Sequence, residues 1–435
     1  MTILLVATRR ARRSRRFWVA VLATALVGAT AVTVRDAAAG GYGGAPDPSR
    51  PGPFAVAAVD YTLGDSALQI QDPETGTIPV EVTASVHYPR NLPGGPHPLV
   101  VLLHGMWATC ADKAALDGMN AAFAQADATT DPAEKARLQE LGRKLGEPID
   151  QWPCRAGTPP VPSYRGYDYL AENLASYGIV AVSVSANGVN AGSMSSDEDR
   201  TAVISKHLAL WQQLASTGGG PLAGKFTDPA SHRPVAVQFR GKVDLARVGT
   251  MGHSRGGRAV MWQAADRHKA DWPAGVQVKA VVPLAAVGPF DPDNPEVVAD
   301  YITSTIPLLE LAGTCDGATL GDEYVPLTTG KTTAALRQFT VHGANHNFHN
   351  TVWSPASGGF DSTDDATHPA PGQCKDASGI TEPQLTEPTQ RRINTGLESA
   401  FFQKHLLGVT TYDRILDGTD QPYASLAKID LKKAN

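Results

Sequence analysis

Gly252-His253-Ser254-Arg255-Gly256-Gly257 sets a serine between glycines in the pattern Gly-x-Ser-x-Gly. The apolar run 246–251 before it reads as a buried strand, and 258–268 after it has helical periodicity. Strand, tight turn and helix form the context in which this pattern lifts a serine hydroxyl out at a strand end. A hydroxyl is a weak nucleophile alone and needs a base and an orienting acid. Downstream, the run 306–312 reads as a strand and ends in Gly313-Thr314-Cys315-Asp316-Gly317. The next strand, 336–341, ends in the loop 342–349, which holds His346 after Gly343-Ala344-Asn345. Nucleophile, acid and base thus follow in that order, each after an apolar strand. His346 is expected to take the proton of Ser254, and Asp316 to hold its imidazole and stabilise the imidazolium.

Each residue also has an ordinary reading. Asp316 suits a turn before Gly317, and His346 a hydrogen-bonded loop; their joint placement favours the catalytic reading. Asp291 is the second candidate acid, and His349 and His342 are second candidates for the base. His253 is expected to pack near the turn with its side chain directed away from that of Ser254. Two backbone N–H groups must meet the charge that develops on a substrate oxygen. They are assigned to Arg255, next to the serine, and to Met106 in His104-Gly105-Met106-Trp107, where Gly105 permits the close turn. Trp107 is the candidate wall of an acyl or alcohol pocket; its ordinary reading is packing beneath an inserted segment.

These groups must be held by a sheet. Short apolar strands at 98–103, 178–184, 246–251, 278–284, 306–312 and 336–341 alternate with helical stretches. That alternation predicts an α/β protein with a mostly parallel central sheet and helices on both faces. Residues 54–88 read as β-hairpin material. After the 98–103 strand comes a helical insertion, about 112–150, in which Asp131-Pro132-Ala133-Glu134 supplies an N-cap and a first-turn proline. Leu138, Leu141 and Leu145 mark one face of that helix; it is expected either as a lid or as a surface helix packed away from the site. Ser196-Asp197-Glu198-Asp199 caps another helix, and 390–407 is a closing helix.

The 435 residues are 42% hydrophobic and 19% charged, enough for a large globular core. Residues 1–39 differ: arginines 9–16, an apolar stretch and Ala37-Ala38-Ala39 read as a secretory signal peptide. The expected organisation is therefore a leader at 1–39, a flexible lead-in at 40–53 and one domain at 54–435. The leader carries seven arginines and one acid, so its removal takes the net charge from −5 to about −11. That charge, with no basic run, argues against nucleic acid as a partner. An exported monomer with no membrane span and a small-molecule or lipid-like ester substrate is expected. Export makes disulfides the expected state of Cys110, Cys154, Cys315 and Cys374. Three connectivities exist, and the sequential one, Cys110–Cys154 with Cys315–Cys374, is favoured. No Cys-x-x-Cys or Cys/His cluster suggests zinc, and no cofactor is expected. In the loop 353–388, Asp361, Asp364 and Asp365 fit no calcium-loop spacing and read as solvated acids.

Taken as a set, Leu103-His104-Gly105, Trp152-Pro153-Cys154, 163–167, 252–257, 313–317 and 343–348 resemble secreted actinobacterial α/β-hydrolases. The wider group includes dienelactone-hydrolase-like, chlorophyllase-like and polyester-hydrolase-like serine esterases. The resemblance covers roughly 98–350 and implies an α/β-hydrolase fold, a triad of Ser254, Asp316 and His346, and carboxylic ester hydrolysis. The chain departs from the polyester-hydrolase members at Arg255 and in the 112–150 insertion. A serine peptidase or polyesterase of the same fold, and a catalytically dead binding protein on that scaffold, are the rival expectations.

Overall fold

The structure, a computed structural model, describes residues 45–72, 76–191 and 196–435. The expected leader, 1–39, and the first residues of the lead-in lie outside them. Four strands come first, β1 (Val56–Thr62), β2 (Leu68–Asp72), β3 (Gly76–Val80) and β4 (Thr83–Pro89), followed by β5 (His97–Leu103). The insertion contributes α1 (Lys113–Ala128) and α2 (Pro132–Gly146). Then come α3 (Asp168–Ser176), β6 (Val180–Val184), the single turn α4 (Asn187–Asn190), α5 (Asp197–Thr217) and the short β7 (Phe226–Thr227). The middle of the chain supplies β8 (Val243–His253), α6 (Arg255–Ala264), β9 (Val278–Leu284), α7 (Pro295–Ala299), β10 (Leu308–Gly313), α8 (Tyr324–Thr328) and β11 (Leu336–Val341). The remainder forms the hairpin β12 (Gln373–Lys375) and β13 (Thr381–Pro383), α9 (Glu387–Leu407), α10 (Asp413–Leu416) and β14 (Ile429–Ala434).

Ten strands make one sheet in the order β14-β11-β10-β9-β8-β5-β6-β4-β1-β7. The six from β11 to β6 run parallel. β14 joins antiparallel at one side, and β4, β1 and β7 at the other. The expected mostly parallel sheet flanked by helices is therefore present. Its unalternating apolar runs follow from burial on both faces. Along β5, Leu99, Val101 and Leu103 enter one core with Trp211 and Leu208 of α5 and Val260 of α6. Val100 and Leu102 enter the other with Leu170 and Leu174 of α3 and Phe401 and Phe402 of α9. This is the period of two that a strand imposes.

Helix starts follow their sequence signals. Ser196 and Asp199 form a reciprocal capping box at α5, and Asp131 caps α2 with Pro132 next. In the insertion, α1 and α2 pack together, with Gly142 against the Phe123 ring and Gly146 against Met119. A small core of Ala108, Ala115, Leu116, Ile149 and Val161 joins the insertion to Trp107, Val352 and Phe360. The segment from Ala45 is tied down. Asp47 accepts from Tyr423 Oη and Arg392, and the Arg50 carbonyl accepts from Asn173 and Tyr177. Residues Ala45–Asn435 form one compact unit.

Both favoured disulfides are present, Cys110–Cys154 and Cys315–Cys374. Such cross-links fit an oxidising compartment. Among the described residues, no helix is long and apolar enough to cross a membrane.

Candidate active site

Parallel strands all end at one edge of a sheet, so the loops after β5, β8, β10 and β11 converge there. Ser254 stands between β8 and α6 with φ 59° and ψ −122°. Left-handed backbone at a non-glycine residue costs on the order of 1–3 kcal/mol and persists only when its surroundings hold it. Here they do. Ser254 N–H donates to the Leu284 carbonyl, and the Ser254 carbonyl accepts from Gly257 and Val287. The turn is also too tight for side chains. A Cβ on Gly252 would lie 2.0 Å from the Gly256 carbonyl oxygen.

His346, in the loop after β11, directs Nδ1 to Asp316 Oδ2 at 2.8 Å, and both side chains are buried. Asp316, in the loop after β10, also accepts from the Ala318 and Thr319 N–H groups on Oδ1 and from Thr319 Oγ1 on Oδ2. Burial would raise its pKa, but the His346 charge and these donors prevail and hold it below the usual carboxylate value. Asp316 is thus an acceptor, so His346 Nδ1 carries the proton and Nε2 is the basic nitrogen. Burial would lower the His346 pKa; the Asp316 carboxylate beside it prevails and raises it. No hydrogen bond joins Ser254 Oγ to His346 in this structure; such contacts often tighten only with substrate bound.

The competing candidates make other contacts. Asp291 is exposed in the loop after β9. His342 lies between Glu382 and Asp430. His349 is buried, its Nδ1 2.7 Å from the Asn394 side-chain nitrogen. His253 is buried, with Nδ1 2.9 Å from Tyr167 Oη and its ring 4.5 Å from that of His346. It backs the His346 ring.

Gly105 lies against the serine: a Cβ there would come within 2.6 Å of Ser254 Cβ. Its carbonyl is 2.8 Å from His104 Nδ1, while His104 Nε2 accepts from Ala186 N–H. His104 is therefore the Nδ1-protonated tautomer, and burial drives its pKa down to about 3. Met106 follows, 43% exposed, and Arg255 begins α6. Trp107 is half-buried, stacked 4.9 Å from Trp353, and it packs on the small core of the insertion.

Several residues at this edge carry no sequence signal of their role. Asp365 accepts from the N–H groups of Gly317, His346 and Asn347, so it braces the acid loop and the base loop at once. Asp364 accepts from Asn345 and Gln384 side chains. Of the three acids read as solvated, Asp364 and Asp365 are thus partly buried struts, because the long loop folds back on the loops after β10 and β11. Glu382, on β13, accepts from Thr314 Oγ1 and contacts His342. Among the described residues the one grouping of metal-capable atoms is Cys315, Cys374 and Glu382, and its two sulfurs are bonded to each other. Clefts of about 540 and 460 Å³ open elsewhere, neither lined by Ser254, Asp316 or His346. A scan against family models and a search of curated proteins find no match to this chain.

Proposed function

We propose that this protein is an exported serine hydrolase of the α/β-hydrolase fold that cleaves carboxylic esters without a cofactor. The observation that carries the reading is a strained serine at a strand–helix turn, sharing a sheet edge with a buried Asp316–His346 pair. Ser254 Oγ attacks the ester carbonyl carbon while His346 Nε2 takes its proton. Asp316 keeps the second imidazole proton on Nδ1 and offsets the imidazolium charge. The oxyanion is met by the N–H groups of Met106 and Arg255. Collapse breaks the carbon–oxygen bond to the alcohol, which leaves with the proton from His346. Water, deprotonated by the same nitrogen, then frees the acid and restores Ser254. The exposed Met106 and the half-buried Trp107, backed by the buried Trp353, supply the apolar flank for the substrate in this reading. Short to medium acyl chains are the preferred class.

A fluorophosphonate probe should add its mass to the Ser254 peptide and abolish p-nitrophenyl ester turnover. Ser254→Ala should neither label nor turn over, with its unfolding temperature unchanged. Activity that survives in Ser254→Ala refutes the reading. Across C2 to C16 esters, kcat/KM should peak below C12, and Trp107→Ala should change the profile.

A further inference from the structure

We propose that Asn190 and Arg200 are positioning residues that fix the Gly105–Met106 peptide so that its N–H faces the substrate carbonyl at Ser254. The proposal rests on the serine-hydrolase reading. It starts from the Gly105 carbonyl, which receives two buried donors: His104 Nδ1 at 2.8 Å and Asn190 Nδ2 at 3.0 Å. Both lone pairs are then used. In a trans peptide the C=O and the next N–H point in opposite directions. Gripping the Gly105 oxygen from one side therefore sends the Met106 N–H to the other. Among the described residues none accepts from that N–H. A peptide beside glycine rotates at little steric cost, so without the grip its donor would have to be ordered during the reaction. Donors help most when they are held before the charge develops.

Arg200 sets the polarity of the grip. An asparagine amide has a donor end and an acceptor end of nearly equal shape. Arg200 Nη2 donates to Asn190 Oδ1 at 2.6 Å, and a guanidinium cannot accept. The oxygen must therefore face Arg200 and the NH₂ must face Gly105. Both side chains are buried, Arg200 at 1% exposure. The backbone bearing Asn190 is anchored too. Buried Glu81 accepts from the Asn187 and Gly188 N–H groups at 2.6 and 2.8 Å, at the start of α4.

The test uses the full protein with p-nitrophenyl butyrate and an aryl trifluoromethyl ketone, whose serine adduct carries the same oxyanion. Asn190→Asp keeps the size and the Arg200 contact but turns an oxygen toward the Gly105 oxygen. Its kcat should fall roughly 10- to 100-fold, with KM within about threefold of wild type. Ketone affinity should weaken by the same factor as kcat. Asn190→Ala, which removes one of two donors, should lose about tenfold in both. Arg200→Lys retains a donor and should keep most of kcat, whereas Arg200→Met should behave as Asn190→Ala does. If Asn190→Asp does not fold, Asn190→Ala and the Arg200 pair decide. Wild-type kcat and ketone affinity in the folded variants, or a change confined to KM or to unfolding temperature, overturns the proposal alone. A wild type that neither labels with fluorophosphonate nor turns over overturns the serine-hydrolase reading, and this proposal with it.

Discussion

In the proposed mechanism, protonation of His346 should limit turnover through Ser254 at low pH. Burial alone would depress the imidazole pKa, yet Asp316 raises it above the ordinary value. A general base must be neutral, so kcat/KM should fall as pH drops through that raised value. The acid limb of the profile should therefore have its midpoint above about 6.5. Asp316→Asn removes the raising charge and no longer dictates the tautomer. We expect its midpoint to move to lower pH and kcat to drop on the order of a thousandfold or more. An unmoved midpoint in Asp316→Asn would contradict the assignment of this pair. The strand-end positions of Ser254, Asp316 and His346 were legible because each follows an apolar strand within a few residues. Asp365, Asn190 and Arg200 were not. Their neighbours in sequence look like ordinary turns and helices, and their roles arise where distant segments meet.

At the scale of elements, the loop after β10 depends on a cross-link. Cys315, beside Asp316, bonds to Cys374 on β12, and the adjoining loop sends Asp365 back to Gly317 and His346. Replacing both cysteines of this bridge by serine should cost about 4 kcal/mol in the chain-entropy model and lower kcat as well. Replacing Cys110 and Cys154 should cost a similar stability, with the smaller effect on kcat. Paired denaturation curves and ester kinetics check this; equal kcat losses in the two variants would refute it. The six parallel strands could be read from their apolar runs, and α2 and α5 from their caps. β14 could not: Ile429–Ala434 carries Lys432 and Lys433 and has no fully buried residue. It is an edge strand, where lysines discourage pairing with other chains, so it lacks the composition that marks the interior. β12 and β13 are three residues each, too short for a period to register.

Across the whole molecule, the cost of a buried acid makes stability depend on pH. Glu398 on α9 is fully buried, and neither carboxylate oxygen has a hydrogen-bond partner. Burial pushes its pKa from the ordinary 4.5 up to about 8. Between those values the folded protein holds a proton that the unfolded chain has lost. The contribution is therefore complete below pH 4.5 and declines as pH rises through about 8. Glu398→Gln should raise the unfolding temperature more at pH 8 than at pH 5. The same gain at both values would mean that Glu398 does not titrate in this range. The coarse architecture was legible in the alternation of strands and helices. A buried unpartnered glutamate was not, since nothing local to α9 distinguishes it from the surface acids of any helix.

The central position of β8 has a consequence for how this protein is made. β8 pairs with β5, so Leu99 lies beside Val248 although a long stretch of sequence, including the whole insertion, α3, β6 and α5, separates them. The cost of closing such a loop must be met before the contacts that reward it exist. Until then β5, seven residues without a single exposed side chain in the final fold, has no partner on that side. Parallel sheets of this kind assemble slowly and leave sticky strands uncovered meanwhile. The yield of active protein in a recombinant host should thus be governed by aggregation during biogenesis, and chaperone supply or a lower growth temperature should raise it.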